Sequence, residues 1–199
     1  MPATDDELLQ RMQRGDSASF TSLYQRHQQR VYRFALMYSG ADGVAADVTQ
    51  EVFMQLIDNH SYDPAQGQLA GYLLGMARNL LRRHRRDAQR FETLDSDDDS
   101  KLGPALIDER EPSLIVSRVQ QHVDLRAAII ALPAHYREVM ILCGLEELDY
   151  QAAARVLQVP IGTVRSRLNR ARKALAAALT VRAGAPASER GEDYELRAV

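Results

Sequence analysis

The densest hydrogen-bonding chemistry in the chain lies towards its C-terminal end. There Arg165, Arg167, Arg170, Arg172 and Lys173 put five cations into nine residues with no acid among them. Arginine pairs bidentately with guanine O6 and N7, and asparagine with adenine. At about 100° per residue on a helix, Arg165, Ser166, Asn169, Arg172 and Lys173 gather on one side. Val164, Leu168, Ala171 and Leu175 gather on the other. The segment is therefore expected to form a helix with an apolar back and a hydrogen-bonding front. Residues near the N-terminal end of a recognition helix reach base edges, so Arg165, Ser166 and Asn169 are the expected base readers. Arg167, Arg170, Arg172 and Lys173 are expected to hold phosphates and set the register. A basic helix serving only as a solvated face would relieve this self-repulsion with acids one turn away, and this one has none.

Such a helix needs an element that presents it. Upstream, Tyr150–Leu157 has a short helical pattern, Pro160 and Gly162 mark a turn, and Thr163 is a suitable N-cap for the basic helix. Ala153 and Ala154 are small where two helices of a helix-turn-helix must cross.

A second basic run, Arg78-Asn79-Leu-Leu-Arg82-Arg83-His84-Arg85-Arg86, closes a helix whose apolar residues Leu69, Tyr72, Leu73, Met76, Ala77, Leu80 and Leu81 follow a strict helical stripe. Arg82, Arg85 and Arg86 can follow a phosphate backbone, and Asn79 can bond an unstacked base. Cations in a last helical turn also complement the helix dipole without any ligand. Further upstream, Asp47, Gln50, Glu51 and Phe53 surround the stripe Val48, Val52, Leu56. An aromatic among amides and acids suits a protein interface, and a plain amphipathic helix with Phe53 buried fits the spacing equally well.

The elements behind these sites are helical throughout. A helix capped at Asp16 or Ser17 is expected to run to Ser39-Gly40, and others follow from Val119–Ile130 and from Tyr136–Cys143. The expected fold class is all-α. Across 199 residues the formal charge is −2, which excludes a uniformly basic nucleic-acid coat, but the total is a mosaic. Residues 1–91 carry 11 basic and 10 acidic side chains, residues 92–115 carry 2 and 8, residues 116–183 carry 10 and 5, and residues 184–199 carry 2 and 4. Two small helical domains, 1–91 and 116–183, are expected on either side of an acidic flexible linker, 92–115, with a disordered tail, 184–199. The lone Cys143 can form no internal disulfide, and the five His residues lack metal-ligand spacing. No phosphate loop, nucleophile elbow or zinc-protease motif occurs. No enzyme activity, metal or cofactor is expected. An acidic N-terminus and the lack of a long apolar run point to a cytoplasmic protein.

In this order the parts resemble the extracytoplasmic-function (ECF) subfamily of bacterial RNA polymerase sigma factors. The resemblance covers roughly residues 5–182 and rests on Asp-Val-Thr-Gln-Glu-Val-Phe at 47–53, Tyr-Leu-Leu-Gly-Met-Ala-Arg-Asn-Leu-Leu at 72–81, Leu-Pro-Ala-His-Tyr-Arg-Glu-Val at 132–139 and the Val159–Leu175 segment. It implies a sigma region 2 bundle and a sigma region 4 helix-turn-helix, promoter-specific transcription initiation with core polymerase, and control by an anti-sigma factor, which in turn could hold the chain at the inner membrane. It further implies that Asp47, Gln50, Glu51 and Phe53 meet the β′ clamp helices of a core whose β subunit is also a partner. Leu69, Tyr72, Asn79, Arg82, Arg83, Arg85 and Arg86 would meet the −10 element. Thr163, Arg165, Ser166, Arg167, Asn169, Arg170, Arg172 and Lys173 would meet the −35 element. The family usually carries Trp where Tyr72 stands and often an aromatic at Leu69, so weaker base stacking is expected here. The acidic linker is expected to mimic nucleic acid in the polymerase channel. The alternative reading is a free-standing helix-turn-helix regulator with residues 1–91 as a ligand or dimer domain.

Overall fold

The structure, a computed structural model, describes the backbone of residues 3–58, 61–95 and 114–182 and the side chains of 3–58, 61–87 and 123–180. The tail beyond 182 and the linker residues 96–113 lie outside the described residues. Eight α-helices follow one another: α1 Asp5–Gln13, α2 Ser17–Ser39, α3 Asp42–Asp58, α4 Leu69–Asp95, α5 Leu114–Ala131, α6 Ala134–Met140, α7 Tyr150–Leu157 and α8 Ile161–Arg182. No strand occurs among the described residues.

Local signals set the boundaries. Thr4 Oγ1 accepts from Glu7 N and Glu7 Oε2 accepts from Thr4 N, a reciprocal cap that starts α1. Asp16 Oδ1 caps α2 by accepting from Ala18 N at 3.0 Å. Gly40 ends it in the left-handed region, φ 77°, donating to Leu36 O at 2.8 Å. Helix α4 runs to Asp95 and α5 begins at Leu114, so both ends of the stretch read from sequence as linker are helical.

Helices α1 to α4 pack around Leu23, Val31, Phe34, Val48, Val52, Leu56, Leu73 and Leu81, all essentially inaccessible to solvent. Ile129, Val139, Ile141, Leu142, Val164 and Leu168 form the core under α5 to α8. These two sets belong to one continuous cluster, because the halves rest directly on each other. Helix α2 touches α5 and α6, and α4 touches α7.

Candidate nucleic-acid and polymerase interfaces

The helix-turn-helix is built from α7 and α8. Asp149 Oδ1 accepts from Ala152 N at 2.7 Å and starts α7. Gln158 closes it in the left-handed region, φ 57°. Helix α8 starts at Ile161, after Pro160, so Thr163 lies inside the first turn and is not its N-cap. The Thr163 amide donates to Pro160 O at 2.9 Å, and its carbonyl accepts from Ser166 Oγ at 3.1 Å. Pro160 takes the cap position, its carbonyl accepting from the Thr163 and Val164 amides, so the helix begins three residues earlier than a Thr163 cap would start it. Val164, Leu168 and Ala171 are buried. Arg165, Ser166, Asn169, Arg170, Arg172 and Lys173 are exposed together, and Arg167 is half-buried.

Sequence reading missed one member of this face. Tyr150 is 38% exposed, and its ring centroid lies 5.8 Å from the Arg165 guanidinium carbon, within cation–π range. An acid in that place would neutralise Arg165 and consume its N–H donors. A ring face attracts the cation and leaves the donors free.

On α4, Asn79, Arg82, Arg83, Arg85 and Arg86 are exposed, as the stripe requires. Tyr72 is half-buried, its ring 5.4 Å from that of Tyr62. The Tyr62 hydroxyl lies 3.0 Å from both Asp6 Oδ1 and Gly67 O. Burial, with the Asp6 contact, pushes its pKa up to about 12. Leu69 corrects an expectation. At 1% exposure it belongs to the core and cannot touch a base, since the first turn of α4 points it inward between its neighbours. Arg78, counted in the basic run, is also buried. Its Nε lies 3.1 Å from Glu138 Oε2 on α6, and its Nη1 donates to Val156 O at 3.3 Å.

On α3, Asp47 and Gln50 are exposed, and Glu51 is half-buried, accepting from Gln55 Nε2 at 2.8 Å. Phe53 is the second correction. The resemblance put it at the polymerase contact and its spacing allowed interface or core; it is 2% exposed, its ring 4.8 Å from Tyr24 and 6.4 Å from Phe20, both edge-on. The aromatic pairs on α2 draw it in. Apolar exposure passes instead to Met54 at 52% and Ile57 at 47%, neither singled out from sequence. With Gln50, Tyr32 and Gln28 they border an open groove between α2 and α3, floored by Phe53. Among the described residues no cluster of three or more His, Cys, Asp or Glu could hold a metal, and no helix is long and apolar enough to cross a membrane.

Residues 23–91 match the family Sigma-70 region 2, and residues 122–175 match Sigma-70, region 4. The chain is 36% identical over 167 residues to the ECF RNA polymerase sigma factor SigE of Mycolicibacterium smegmatis, a match spanning 81% of this chain and 63% of that relative. It is 31% identical over 180 residues to the RNA polymerase sigma-H factor of Pseudomonas aeruginosa, covering 88% of this chain and 93% of the relative. The ECF RNA polymerase sigma-E factor of Escherichia coli is likewise 31% identical over 180 residues, with 86% and 92% covered. Among solved structures, the sigma factor RpoE in complex with the anti-sigma factor NepR from Bartonella quintana superposes with a TM-score of 0.66 at 28% identity, covering 81% of this chain and 97% of that one. CnrH in complex with the cytosolic domain of CnrY gives 0.64 at 22% identity, with 89% and 97% covered, and shares the fold.

Proposed function

The chain belongs to the ECF sigma factors of bacterial RNA polymerase, and from that premise we propose how its surfaces divide the work of directing promoter-specific initiation. Core polymerase, promoter DNA and an anti-sigma factor are its partners.

The α2/α3 groove receives the polymerase β′ clamp helices. Met54 and Ile57 supply apolar area, Asp47, Gln50 and Glu51 form the polar rim, and Phe53 acts from beneath by holding α3 against α2. The exposed edge of α4 takes the −10 element. Tyr72, braced by Tyr62, and Asn79 meet unstacked bases, while Arg82, Arg83, Arg85 and Arg86 follow the backbone. Helix α8 takes the −35 element through Arg165, Ser166 and Asn169, with Thr163, Arg167, Arg170, Arg172 and Lys173 on the phosphates. Tyr150 orients Arg165. Residues 1–95 and 114–182 act as the two promoter-reading domains.

The observation that carries this reading is the segregation of two cationic helix faces, on α4 and α8, from a separate apolar groove between α2 and α3. In a free-standing regulator the third surface would serve a ligand or a second copy and would have no affinity for core polymerase. Binding to core polymerase, followed by run-off transcription from a promoter that the free chain does not protect from nuclease, tests the proposal. Protection of the same DNA by the chain alone, with no affinity for core, would establish the regulator instead.

A further inference from the structure

Two adjacent carboxylates at the start of α1 bond away from their own helix. The reciprocal cap between Thr4 and Glu7 starts α1 without them. Asp5 Oδ1 accepts from Arg26 Nη1 at 2.9 Å and its Oδ2 lies 2.8 Å from His27 Nε2, which fastens α1 to α2. Leu8, Leu9 and Met12 bury the apolar side of α1 in the core. Asp6 reaches the connection between α3 and α4 instead, its Oδ1 lying 3.0 Å from the Tyr62 hydroxyl.

That connection is itself built to hold Tyr62. Asp63 Oδ1 accepts from Ala65 N at 2.9 Å and its Oδ2 from Gln66 Nε2 at 3.1 Å, which caps a single 3-10 turn, Pro64–Gln66. Gly67 leaves the turn at φ 139°, a conformation that favours glycine. Its carbonyl is a second acceptor, 3.0 Å from Tyr62 Oη. A phenol carries one proton to donate, and burial, with the Asp6 contact, holds that proton in place by pushing the pKa up to about 12. Tyr62 is thus a donor between two acceptors, one on α1 and one just before α4. Its anchored ring lies 5.4 Å from that of Tyr72 at an interplanar angle of 57°, an ordinary aromatic pair.

Two plainer roles exist for these groups. An acid in a first helical turn complements the helix dipole, and a half-buried aromatic pair packs whatever its substituents. Neither calls for a hydroxyl placed between Asp6 and Gly67.

We propose that Asp6 and Tyr62 are positioning residues for promoter opening: anchored to α1 and to Gly67, the Tyr62 ring fixes the Tyr72 ring in the orientation that takes up an unpaired base of the downstream element. The proposal rests on the reading that α4 meets the −10 element. A ring held in its binding orientation has less freedom to lose when a base stacks on it. The anchor therefore acts on affinity for the opened strand and leaves α8 and the polymerase groove untouched. Helix α1 takes part in reading DNA although none of the DNA-contacting residues lies on it.

The test uses holoenzyme reconstituted from the full chain and core polymerase. The DNA is a promoter held open across the downstream element by mismatches, intact or with an abasic nucleotide at each position of that element in turn. Stacking one base on an aromatic side chain is worth about five- to 150-fold in affinity, which Tyr72→Ala should lose on intact DNA. Tyr62→Phe keeps the ring and gives up the hydroxyl. It should lose about two- to tenfold, the net worth of one hydrogen bond, and Asp6→Ala a similar amount. Asp6→Asn keeps an acceptor oxygen and should bind as the wild type does. All three losses should vanish at one and the same abasic position and persist at the others, with affinity for core unchanged. Tyr62→Phe that binds intact DNA like the wild type, losses that no abasic position removes, or Asp6→Asn as weak as Asp6→Ala would each overturn the positioning role. The last result would assign Asp6 to the helix dipole. If Asp6→Ala unfolds α1, Tyr62→Phe decides, since it leaves the cap of that helix intact. Tyr72→Ala without effect on any of these DNAs would overturn the reading of α4 itself, whereas a Tyr72→Ala loss without a Tyr62→Phe loss would overturn the positioning role alone.

Discussion

Adjacent residues on α3 are expected to fail in opposite ways. Phe53 is 2% exposed and packs edge-on against Tyr24 and Phe20. Phe53→Ala removes a buried ring and leaves a cavity, a change that costs about 3–5 kcal/mol. For a chain of this size each kcal/mol moves the melting temperature about 2–4 °C, so the midpoint should fall by roughly 6–20 °C. Met54, one residue on, is 52% exposed, so Met54→Ala should change stability by no more than about 0.5 kcal/mol. Its exposed half is what a partner would cover. Burying a whole Met side chain contributes about 1.5–3 kcal/mol, and half of that is about three- to tenfold in affinity for core polymerase. Thermal melts followed by circular dichroism and a competition assay for core measure the two quantities on both variants. An unchanged midpoint for Phe53→Ala with weakened polymerase binding would refute the reasoning, because it would mean that the ring faces the partner and Met54 does not.

Further perturbations test other parts of the account. Gln158 occupies a left-handed C-cap that favours glycine, so Gln158→Gly should stabilise by about 1 kcal/mol and raise the melting midpoint by a few degrees. A lower midpoint would show that the Gln158 side chain contributes more than its backbone costs. Tyr150→Leu should relax base discrimination at the pair read by Arg165 with little effect on the salt dependence of binding, while Tyr150→Phe should retain it. Equal loss in both would assign the role to the hydroxyl. Burial pushes the Cys143 thiol up to about 11, so iodoacetamide at pH 8 should alkylate the folded chain far more slowly than the unfolded one. The thiolate is disfavoured only in the fold, so Cys143 also makes stability fall as pH rises from about 9 to 11. An alkaline titration of wild type against Cys143→Ala checks that sign.

Much of the architecture was written in residue spacing. The α4 stripe, the Asp16 and Gly40 ends of α2, and the apolar back of α8 each depend on contacts within one element, where periodicity and capping suffice. Helix α1 is too short for a long apolar stripe, and Thr4 and Glu7 at capping-box spacing are its clearest sequence signal. Phe53 and Leu69 went astray for a common reason. Spacing places a residue at the margin of a stripe, and only the partner helix decides whether that margin is covered, as Phe20 and Tyr24 cover Phe53. Arg78 shows the limit most clearly. Nothing local distinguishes it from Arg82, yet it is buried against Glu138, 60 residues away in sequence. The Asp6 bond to Tyr62 is likewise a contact between distant segments, and no pattern within either one announces it.

The central claim is that α4 and α8 read two different promoter elements. It is tested most directly by transcribing a randomised promoter library with holoenzyme reconstituted from wild-type, Asn79→Ala or Arg165→Ala chains, and sequencing the products. Arg165→Ala should cost about 1–3 kcal/mol of discrimination at one position of the upstream element and leave the downstream element unchanged, and Asn79→Ala should do the reverse. Loss of both preferences in either variant, or of neither, would contradict the account.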